Sequence, residues 1–231
     1  MATVFLPGTL CDERVFAPQV SALEVTHEAC AVLPLRVGTT VSDCARWVLT
    51  QAPARFNLVG FSQGAVVAFE LMRQAPERIS RLVLIAANPT SSSNSQKATW
   101  QRWRERVYQG RFDEVVQDLC QGLYYPHQDV CCDVLLAMAH NLGEAVLLQQ
   151  LAMLESRIDS TTTLAHITCP VQLIVGQHDR ITPVTVHEHM LHHLPHASLS
   201  KIAVSGHYVS LEQPTQVSQV LLSFLNHATP A

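Results

Sequence analysis

Ser62 is the residue of this chain best placed to act as a nucleophile. It is the centre of the sequence GFSQG, residues 60–64, which follows an apolar run at 56–59 and precedes a segment with the composition of a helix. When G-x-S-x-G joins a strand to a helix, the serine lies at a sharp turn with its hydroxyl group exposed. The N-terminus of the new helix also favours negative charge that develops beside the serine. The pattern therefore predicts a nucleophilic serine, whereas without the strand and the helix it would indicate only a glycine-bounded turn.

Asp179 and His207 are the candidate partners of this serine. A serine hydroxyl is a weak nucleophile unless a base takes its proton and a third group orients that base. Asp179 follows an apolar run at 171–175, and His207 follows another run at 199–203. Because sites in open α/β sheets collect at the carboxyl ends of the strands, we expect both side chains to lie near Ser62. Alone, Asp179 would be typical of a turn and His207 of an ordinary loop; the order Ser, Asp, His predicts a catalytic triad.

Two backbone amides are expected to form an oxyanion hole. One is the N–H of Gln63, the residue after the predicted nucleophile. The other is the N–H of Thr9, in the loop that follows a predicted strand at 3–6. Gly8 would let this loop approach the site closely, because it carries no side chain. Preorganised amides at these two places would stabilise the negative oxygen of a tetrahedral intermediate.

The order of the predicted elements indicates an α/β fold with an inserted helical segment. Apolar runs predict strands at residues 3–6, 30–33, 56–61, 81–86, 171–175 and 199–203. A polar, turn-rich stretch at 89–95 interrupts this order. Helical patterns without a strand pattern follow it, at residues 100–109, 112–122, 130–142 and 144–155. We therefore predict a core formed by residues 1–88 and 169–231, and a helical cap formed by residues 89–168.

Five stretches of the chain resemble the α/β-hydrolase superfamily, in particular its small esterase-like serine hydrolases with a helical cap. They are LPGTLCDERVF, GFSQG, PERISRLVLIAA, CPVQLIVGQHDRITP and SGHYVSLEQP, and the similarity extends over nearly the whole chain. The resemblance implies about six mainly parallel strands flanked by helices, with the cap inserted after the sixth strand of the family pattern. The chain departs from that pattern at Pro7, where a histidine often precedes the glycine of the oxyanion loop. It also shows no N-terminal hairpin before the first predicted strand.

The resemblance implies a serine hydrolase that cleaves a small carboxylic ester or thioester through an acyl-enzyme on Ser62. Carboxylesterases, acyl-carrier methyl-ester esterases and lactonases are the relatives that it indicates. Two other classes remain open. A non-hydrolytic lyase or a lactonase could act on an anionic metabolite with the same triad, and a hydrolase-fold binding protein could share the scaffold. The complete set of Ser62, Asp179 and His207 disfavours the binding protein.

Four residues are candidate substrate contacts. Leu10 lies in the predicted oxyanion loop, and Tyr208 follows His207. Trp100 and Trp103 share one face of a predicted cap helix. We expect that face either to pack on the core or on other cap helices, or to line an acyl pocket.

Arginines are concentrated on the same cap helix and just after it, at Arg102, Arg104, Arg106 and Arg111. They would form either a solvated face or a docking surface for an acidic acyl carrier protein. Arg157 and Asp159, at the end of the cap, are expected to form a local pair or a tie between cap and core, with no catalytic role.

The composition is that of a globular enzyme. Of the 231 residues, 48% are hydrophobic, which is enough for a large core, and the net charge of −4 disfavours a nucleic-acid partner. The chain has neither an apolar run of transmembrane length nor the pattern of a signal peptide. Its seven cysteines lack regular spacing and are interpreted as free thiols in a reducing compartment. We therefore expect a cytoplasmic protein without a membrane span.

Histidines crowd one predicted helix and its exit, at His187, His189, His192, His193 and His196. They do not form the H-E-x-x-H pattern of zinc enzymes, and a pair at i and i+4 is sufficient only for adventitious metal binding. The sequence also lacks G-x-G-x-x-G and P-loop motifs. We therefore predict neither a metal nor a nucleotide cofactor.

Overall fold

A six-stranded parallel sheet forms the centre of the fold in the computed structural model, which describes residues 1–120 and 129–226. The strands are β1 (Thr3–Leu6), β2 (Cys30–Val32), β3 (Phe56–Phe61), β4 (Ile79–Ile85), β5 (Val171–Gly176) and β6 (Ala197–Ile202). Their order across the sheet is β2-β1-β3-β4-β5-β6, and every neighbouring pair is parallel. The prediction of about six parallel strands flanked by helices is thereby confirmed.

The helices, in chain order, are α1 (Ala17–Glu24), α2 (Val41–Gln51), α3 (Gln63–Gln74), α4 (Asn94–Tyr108), α5 (Phe112–Cys120), α6 (Asp129–Glu155), α7 (Thr161–Leu164), α8 (Val184–His193), α9 (Val209–Glu212) and α10 (Pro214–Asn226). Short 3₁₀ helices lie at Glu13–Phe16 and Pro76–Arg78.

Every residue of β3 and of β5 is buried. Strands of a parallel sheet covered by helices on both faces are continuous apolar runs, which is why these two strands were evident in the sequence.

The segment between β4 and β5 contains α4, α5, α6 and α7, and its described residues include no strand. Helix α4 begins at Asn94, six residues before the predicted start at Trp100, because Ser93 and Gln96 form a capping box. The polar residues that suggested a break therefore start the helix. The predicted helix at 112–122 corresponds to α5 as far as Cys120, and residues 121 and 122 lie outside the described residues. The helices predicted at 130–142 and 144–155 are the two parts of α6, which Gly143 interrupts with φ 77° and ψ 175°.

In the part of the chain that the structure describes, one stretch, Cys131–Glu155, is long and apolar enough to cross a membrane by length and composition alone. The expectation that no segment reaches this length is therefore wrong for α6. The criterion is weak evidence for a span, because the helix is interrupted at Gly143 and large apolar side chains on both parts pack into the core. They include Leu135, Met138, Leu147 and Leu151.

His187 on α8 is a fully buried histidine that holds the end of β4. Its Nε2 accepts a hydrogen bond from the Ala87 N–H at 3.0 Å, and its Nδ1 lies 3.2 Å from the carbonyl oxygen of Pro183. These two contacts require the neutral imidazole with the proton on Nδ1. Burial lowers the pKa of His187 from its ordinary value of 6.5 to about 4. A charged ring would lose the bond to Ala87, so this contact depends on pH.

We expect the protein to lose stability as pH falls from about 6.5 to about 4. In that window the unfolded chain binds a proton at residue 187 that the folded chain does not, at a total cost of roughly 3 kcal/mol. His187→Gln, which cannot titrate, should lower stability at pH 7 and flatten the loss between pH 6.5 and 4. Urea unfolding at several pH values measures both effects. His192→Gln, on an exposed position of the same helix, is the control. An unchanged pH slope in His187→Gln would contradict this account.

Candidate active site

Ser62 lies at a tight turn between β3 and α3. Its backbone has φ 51° and ψ −110°, a conformation that residues with side chains rarely adopt. Two close approaches explain the glycines on either side of it. A Cβ atom on Gly64 would lie 2.0 Å from the carbonyl oxygen of Leu6, and one on Gly60 would lie 2.7 Å from the carbonyl oxygen of Gly64. The turn is therefore held by backbone contacts that only glycine permits.

The structure brings Ser62, His207 and Asp179 into one line of contacts. The distance from the Ser62 Oγ to the His207 Nε2 is 3.0 Å, and the distance from the His207 Nδ1 to the Asp179 Oδ2 is 2.8 Å. His207 is 4% exposed and Asp179 is 5% exposed, so water has little access to the contact between them. The three residues come from turns after β3, β5 and β6, at the same edge of the sheet.

Asp179 is held in its ionised form by its surroundings. Its Oδ1 accepts bonds from the N–H groups of Ile181 (2.8 Å) and Thr182 (2.9 Å), and its Oδ2 accepts one from the Thr182 hydroxyl (2.7 Å). Burial raises the pKa of Asp179, but the charge of His207 and the hydrogen bonds from His207 and Thr182 outweigh it, so the pKa lies below its ordinary value. The carboxylate is therefore charged at neutral pH and fixed in orientation.

The turn that carries His207 is fixed from two sides. The Gly206 N–H donates to the buried carboxylate of Glu212 on α9 at 2.7 Å. The His178 N–H, beside Asp179, donates to the carbonyl oxygen of Ser205 at 2.9 Å. The bond from the His178 N–H to the Ser205 carbonyl joins the turn that carries Asp179 to the turn that carries His207. The distance between these two turns is therefore set by a backbone contact.

The loop after β1 passes directly beside Ser62. A Cβ atom on Gly8 would lie 2.8 Å from the ring of Phe61 and 3.4 Å from the Cβ of Ser62. The Thr9 hydroxyl donates to the Gln63 side-chain oxygen at 2.9 Å. Gln63 is the first residue of α3, where an amide N–H has no partner within the helix. The two residues predicted to supply oxyanion-hole amides therefore adjoin the serine.

Gln150 on α6 anchors this loop. Its side-chain oxygen accepts the Leu10 N–H at 2.8 Å, and its side-chain nitrogen donates to the carbonyl oxygen of Leu35 at 3.1 Å. Its backbone carbonyl accepts a bond from the Gln63 side-chain amide at 3.1 Å. Gln150 is 1% exposed, so all of these bonds lie away from solvent. One residue of the inserted segment thus holds both the loop after β1 and the residue after Ser62.

Replacing Gln150 with leucine should disturb both the loop and the stability. The change would leave the Leu10 N–H and the Leu35 carbonyl buried without partners, at about 1–3 kcal/mol each. We expect a lower free energy of unfolding, measured with urea, and a lower kcat for p-nitrophenyl acetate. Gln149→Leu is the matched control, because its side chain donates to the Gly38 carbonyl and does not contact the loop. Equal kcat values for the two variants would show that Gln150 does not position the site.

A cavity of about 380 Å³ opens beside Ser62 and His207. Trp100, Trp103 and Tyr208, three of the predicted substrate contacts, line it. Leu10, the fourth, lies instead on a smaller neighbouring cavity. The residues that line the cavity beside Ser62 also include Thr9, Gln63, Val66, Leu119, Leu154 and Ile181. The tryptophan face of α4 therefore forms part of the wall, one of the two expectations for that face.

Arginines on and after α4 are mostly engaged by acidic residues of this chain. Arg104 pairs with Glu155 at 2.6 Å, Arg106 with Asp118 at 2.5 Å and Arg111 with Glu114 at 2.5 Å. Arg102 donates to the Thr99 hydroxyl at 2.8 Å. The local positive charge is therefore smaller than the sequence suggests.

Arg157 does not form the predicted pair with Asp159 among the described residues. The Nη2 atom of Arg157 donates to the side-chain oxygen of Gln96 at 3.2 Å and to the carbonyl oxygen of Ser91 at 3.4 Å. Asp159 instead accepts the Thr161 N–H at 2.8 Å. Arg157 lines the cavity that contains Ser62.

The other described histidines and the cysteines were also candidates for metal binding. Over residues 1–120 and 129–226, no group of three His, Cys, Asp or Glu side chains is arranged to hold a metal ion. All seven cysteines are free. Cys11, on the loop after β1, is buried and donates to the Thr9 carbonyl, and burial raises the pKa of its thiol. It is therefore not a rival to Ser62 as a nucleophile.

Thr182, Glu212 and Gln150 position the site but were not predicted. Thr182 had a local signal, because an Asp three residues before a Thr commonly accepts from that residue's N–H in a turn. Gln150 had none, since its partners at Leu10 and Gln63 lie 140 and 87 residues away in the chain.

The chain belongs to the alpha/beta hydrolase family, whose sequence model matches residues 4–220. A pimeloyl-[acyl-carrier protein] methyl ester esterase from Nitrosomonas europaea is 30% identical over 73% of this chain and 71% of its own length. A putative carbamate hydrolase, RutD, from Cronobacter turicensis is 27% identical over 84% of this chain and 76% of its own. The biotin biosynthesis bifunctional protein BioHC from Teredinibacter turnerae is 26% identical over 77% of this chain, which spans only 34% of that longer protein.

Solved structures show the same fold. The enol-lactonase from Burkholderia xenovorans LB400 superposes with a TM-score of 0.88 and 17% identity, over 98% of this chain and 91% of that one. Family membership and the esterase relatives together support the class of carboxylic ester hydrolase for this chain.

Proposed function

We propose that this chain hydrolyses a small carboxylic ester or thioester, with Ser62 as nucleophile, His207 as general base and Asp179 as the group that orients it. One observation carries the proposal: the unbroken contacts from the Ser62 Oγ through the His207 ring to the Asp179 carboxylate, at 3.0 and 2.8 Å. These distances are those expected between a nucleophile, its base and the group that orients the base.

The reaction would proceed in two halves. The His207 Nε2 takes the proton of Ser62 while the Oγ attacks the carbonyl carbon, and Asp179 stabilises the imidazolium that forms. The tetrahedral intermediate collapses to an acyl-enzyme as His207 gives its proton to the leaving alcohol or thiol. Water, deprotonated by His207, then attacks the acyl carbon and forms a second tetrahedral intermediate. The bond from the acyl carbon to the Ser62 Oγ breaks, His207 returns the proton to the Oγ, and the carboxylic acid leaves. The Gln63 and Thr9 amides would stabilise the oxyanion in both halves, at several kcal/mol in total.

Residues 89–168 would act as a lid over this site. Support comes from Trp100, Trp103 and Leu154, which lie in that segment and line the cavity.

The cavity of about 380 Å³ is at the small end of the usual range for ligand sites, which favours a small substrate. The core, residues 1–88 and 169–231, supplies the three triad residues. We propose a cytoplasmic enzyme on the basis of its seven free cysteines.

An ester linked to an acyl carrier protein is the second candidate substrate, because a relative acts on a pimeloyl-[acyl-carrier protein] methyl ester. Docking on Arg102, Arg104, Arg106 and Arg111 would compete with three ion pairs already present in this chain. We therefore favour a free small molecule. The same triad could also serve a lactonase or lyase reaction, or the cleavage of a carbamate.

Ser62 should be the residue labelled by a fluorophosphonate probe. Wild-type protein should react and Ser62→Ala should not, because the probe requires the activated hydroxyl at the turn. Hydrolysis of p-nitrophenyl acyl esters should fall in Ser62→Ala to the level left by the oxyanion hole and binding. Labelling of a peptide that lacks Ser62 would refute the assignment.

The same variant provides the blank for a substrate panel. Methyl esters, a carrier-linked methyl ester, lactones and a carbamate should be compared as kcat/KM after subtraction of the Ser62→Ala rate. Release of acid from open-chain esters supports the proposal. Activity confined to lactones, to elimination or to carbamates would replace ester hydrolysis with that reaction.

Asp179→Asn should keep the fold and lose most activity. The asparagine oxygen can still accept the Ile181 and Thr182 N–H bonds, whereas its NH₂ group would face the His207 Nδ1 and favour the wrong tautomer. We expect kcat to fall by about 10⁴-fold, as in other serine triads. Circular dichroism and p-nitrophenyl acetate turnover test this. Thr182→Val, which removes one bond to the carboxylate but leaves its charge, should lose far less, and a larger loss there would contradict the assigned roles.

A further inference from the structure

Arg157 is the one Lys or Arg among the described residues that line the cavity beside Ser62. Within residues 1–120 and 129–226, its buried Nε has no hydrogen-bond partner. Its Nη2 donates to neutral oxygens, those of Gln96 at 3.2 Å and Ser91 at 3.4 Å. A guanidinium presents five N–H donors, so much of its bonding capacity is unused here.

Carboxylates near Arg157 do not neutralise it. Asp118, which also lines the cavity, is bonded to Arg106. Asp159 attracts Arg157 without forming an ion pair, and its carboxylate accepts the Thr161 N–H. Burial lowers the pKa of Arg157, and this outweighs the attraction of Asp159, yet an arginine remains protonated at neutral pH. A buried charge without a direct partner is costly, so this position is favourable for an anion that enters the cavity.

The lining of the cavity combines reacting groups, an apolar wall and polar groups. Ser62 and His207 are the reacting groups, and Trp100, Trp103 and Leu154 form an apolar wall. Polar side chains accompany Arg157 on the lining, at Asn88, Ser95, Gln96 and Thr99. A planar guanidinium with parallel N–H groups matches a carboxylate in a bidentate arrangement.

We propose that Arg157 binds a carboxylate group of the substrate, so that the enzyme favours esters that carry a second, negatively charged carboxyl group. This rests on the proposed function of Ser62 for the turnover of such esters, although binding at Arg157 can be measured without turnover. Arg157 would thereby determine specificity, a role that the sequence pattern did not assign to it.

The test compares charged and neutral esters of equal acyl length. Monomethyl glutarate and monomethyl adipate are set against methyl pentanoate and methyl hexanoate, with methanol release as the measurement. The ratio of kcat/KM for charged over neutral esters should fall about ten- to hundredfold in Arg157→Gln, since hydrogen bonds to charged groups are of that strength. The loss should lie mainly in KM, and Arg157→Lys should recover part of it.

Lys97→Gln is the matched control. It removes one positive charge from α4, is exposed and does not line the cavity, so the ratio should not change. An equal fall of the ratio in Lys97→Gln would indicate a long-range charge effect and overturn the subsite. An unchanged ratio in Arg157→Gln, or no preference for charged esters in the wild type, would also overturn it.

Binding separates this proposal from the proposed function. Glutarate should raise the Tm of Ser62→Ala and leave the Tm of Ser62→Ala/Arg157→Gln unaltered. If no ester is hydrolysed but glutarate still binds through Arg157, the proposed function fails and the subsite stands. If esters are hydrolysed but glutarate shifts both variants equally or neither of them, the subsite fails and the proposed function stands.

Discussion

The candidate site depends on the close approach of two backbone segments, the turn after β3 and the end of β1. Gly64 lies so near the carbonyl oxygen of Leu6 that even a methyl group would overlap it by more than an ångström. That contact fixes where α3 begins relative to β1. It therefore fixes both the strained backbone of Ser62 and the distance from Ser62 to the loop at Gly8 and Thr9. A wider separation would relieve the strain and leave the serine without its neighbouring amides.

Hydrogen bonds between turns position the other two residues of the candidate site along the same edge of the sheet. The turns after β5 and β6 are joined by backbone bonds, so the Asp179 carboxylate and the His207 ring are positioned together. Asp179 is buried, and burial alone would favour its neutral form. The charge of His207 and the hydrogen bonds from His207 and Thr182 reverse that preference. The charge that orients the histidine is thus maintained by local polar groups and does not require solvent.

The inserted segment has two physical roles in this arrangement. It supplies Trp100, Trp103 and Arg157, which line the cavity. It also supplies Gln150, whose three bonds reach the loop after β1, Leu35 and Gln63. The same inserted segment therefore lines the cavity and anchors the loop after β1. The break at Gly143 allows helix α6 to change direction before it reaches the site.

The sequence by itself predicted the sheet, the order of its helices and the candidate residues Ser62, Asp179 and His207, whose side chains the structure brings into contact. The sheet was predictable because parallel strands buried on both faces are continuous apolar runs. The three candidates were predictable because they lie in short motifs at strand ends. The start of α4 was predicted six residues late, since the polar residues of a helix cap resemble those of a loop. Only the tertiary structure decided the positions and contacts of Gln150 and Arg157. Their hydrogen-bond partners lie far away in the chain. Whether an arginine side chain pairs with a carboxylate or lines a cavity depends on how distant segments pack, and a local sequence pattern contains no information on that packing.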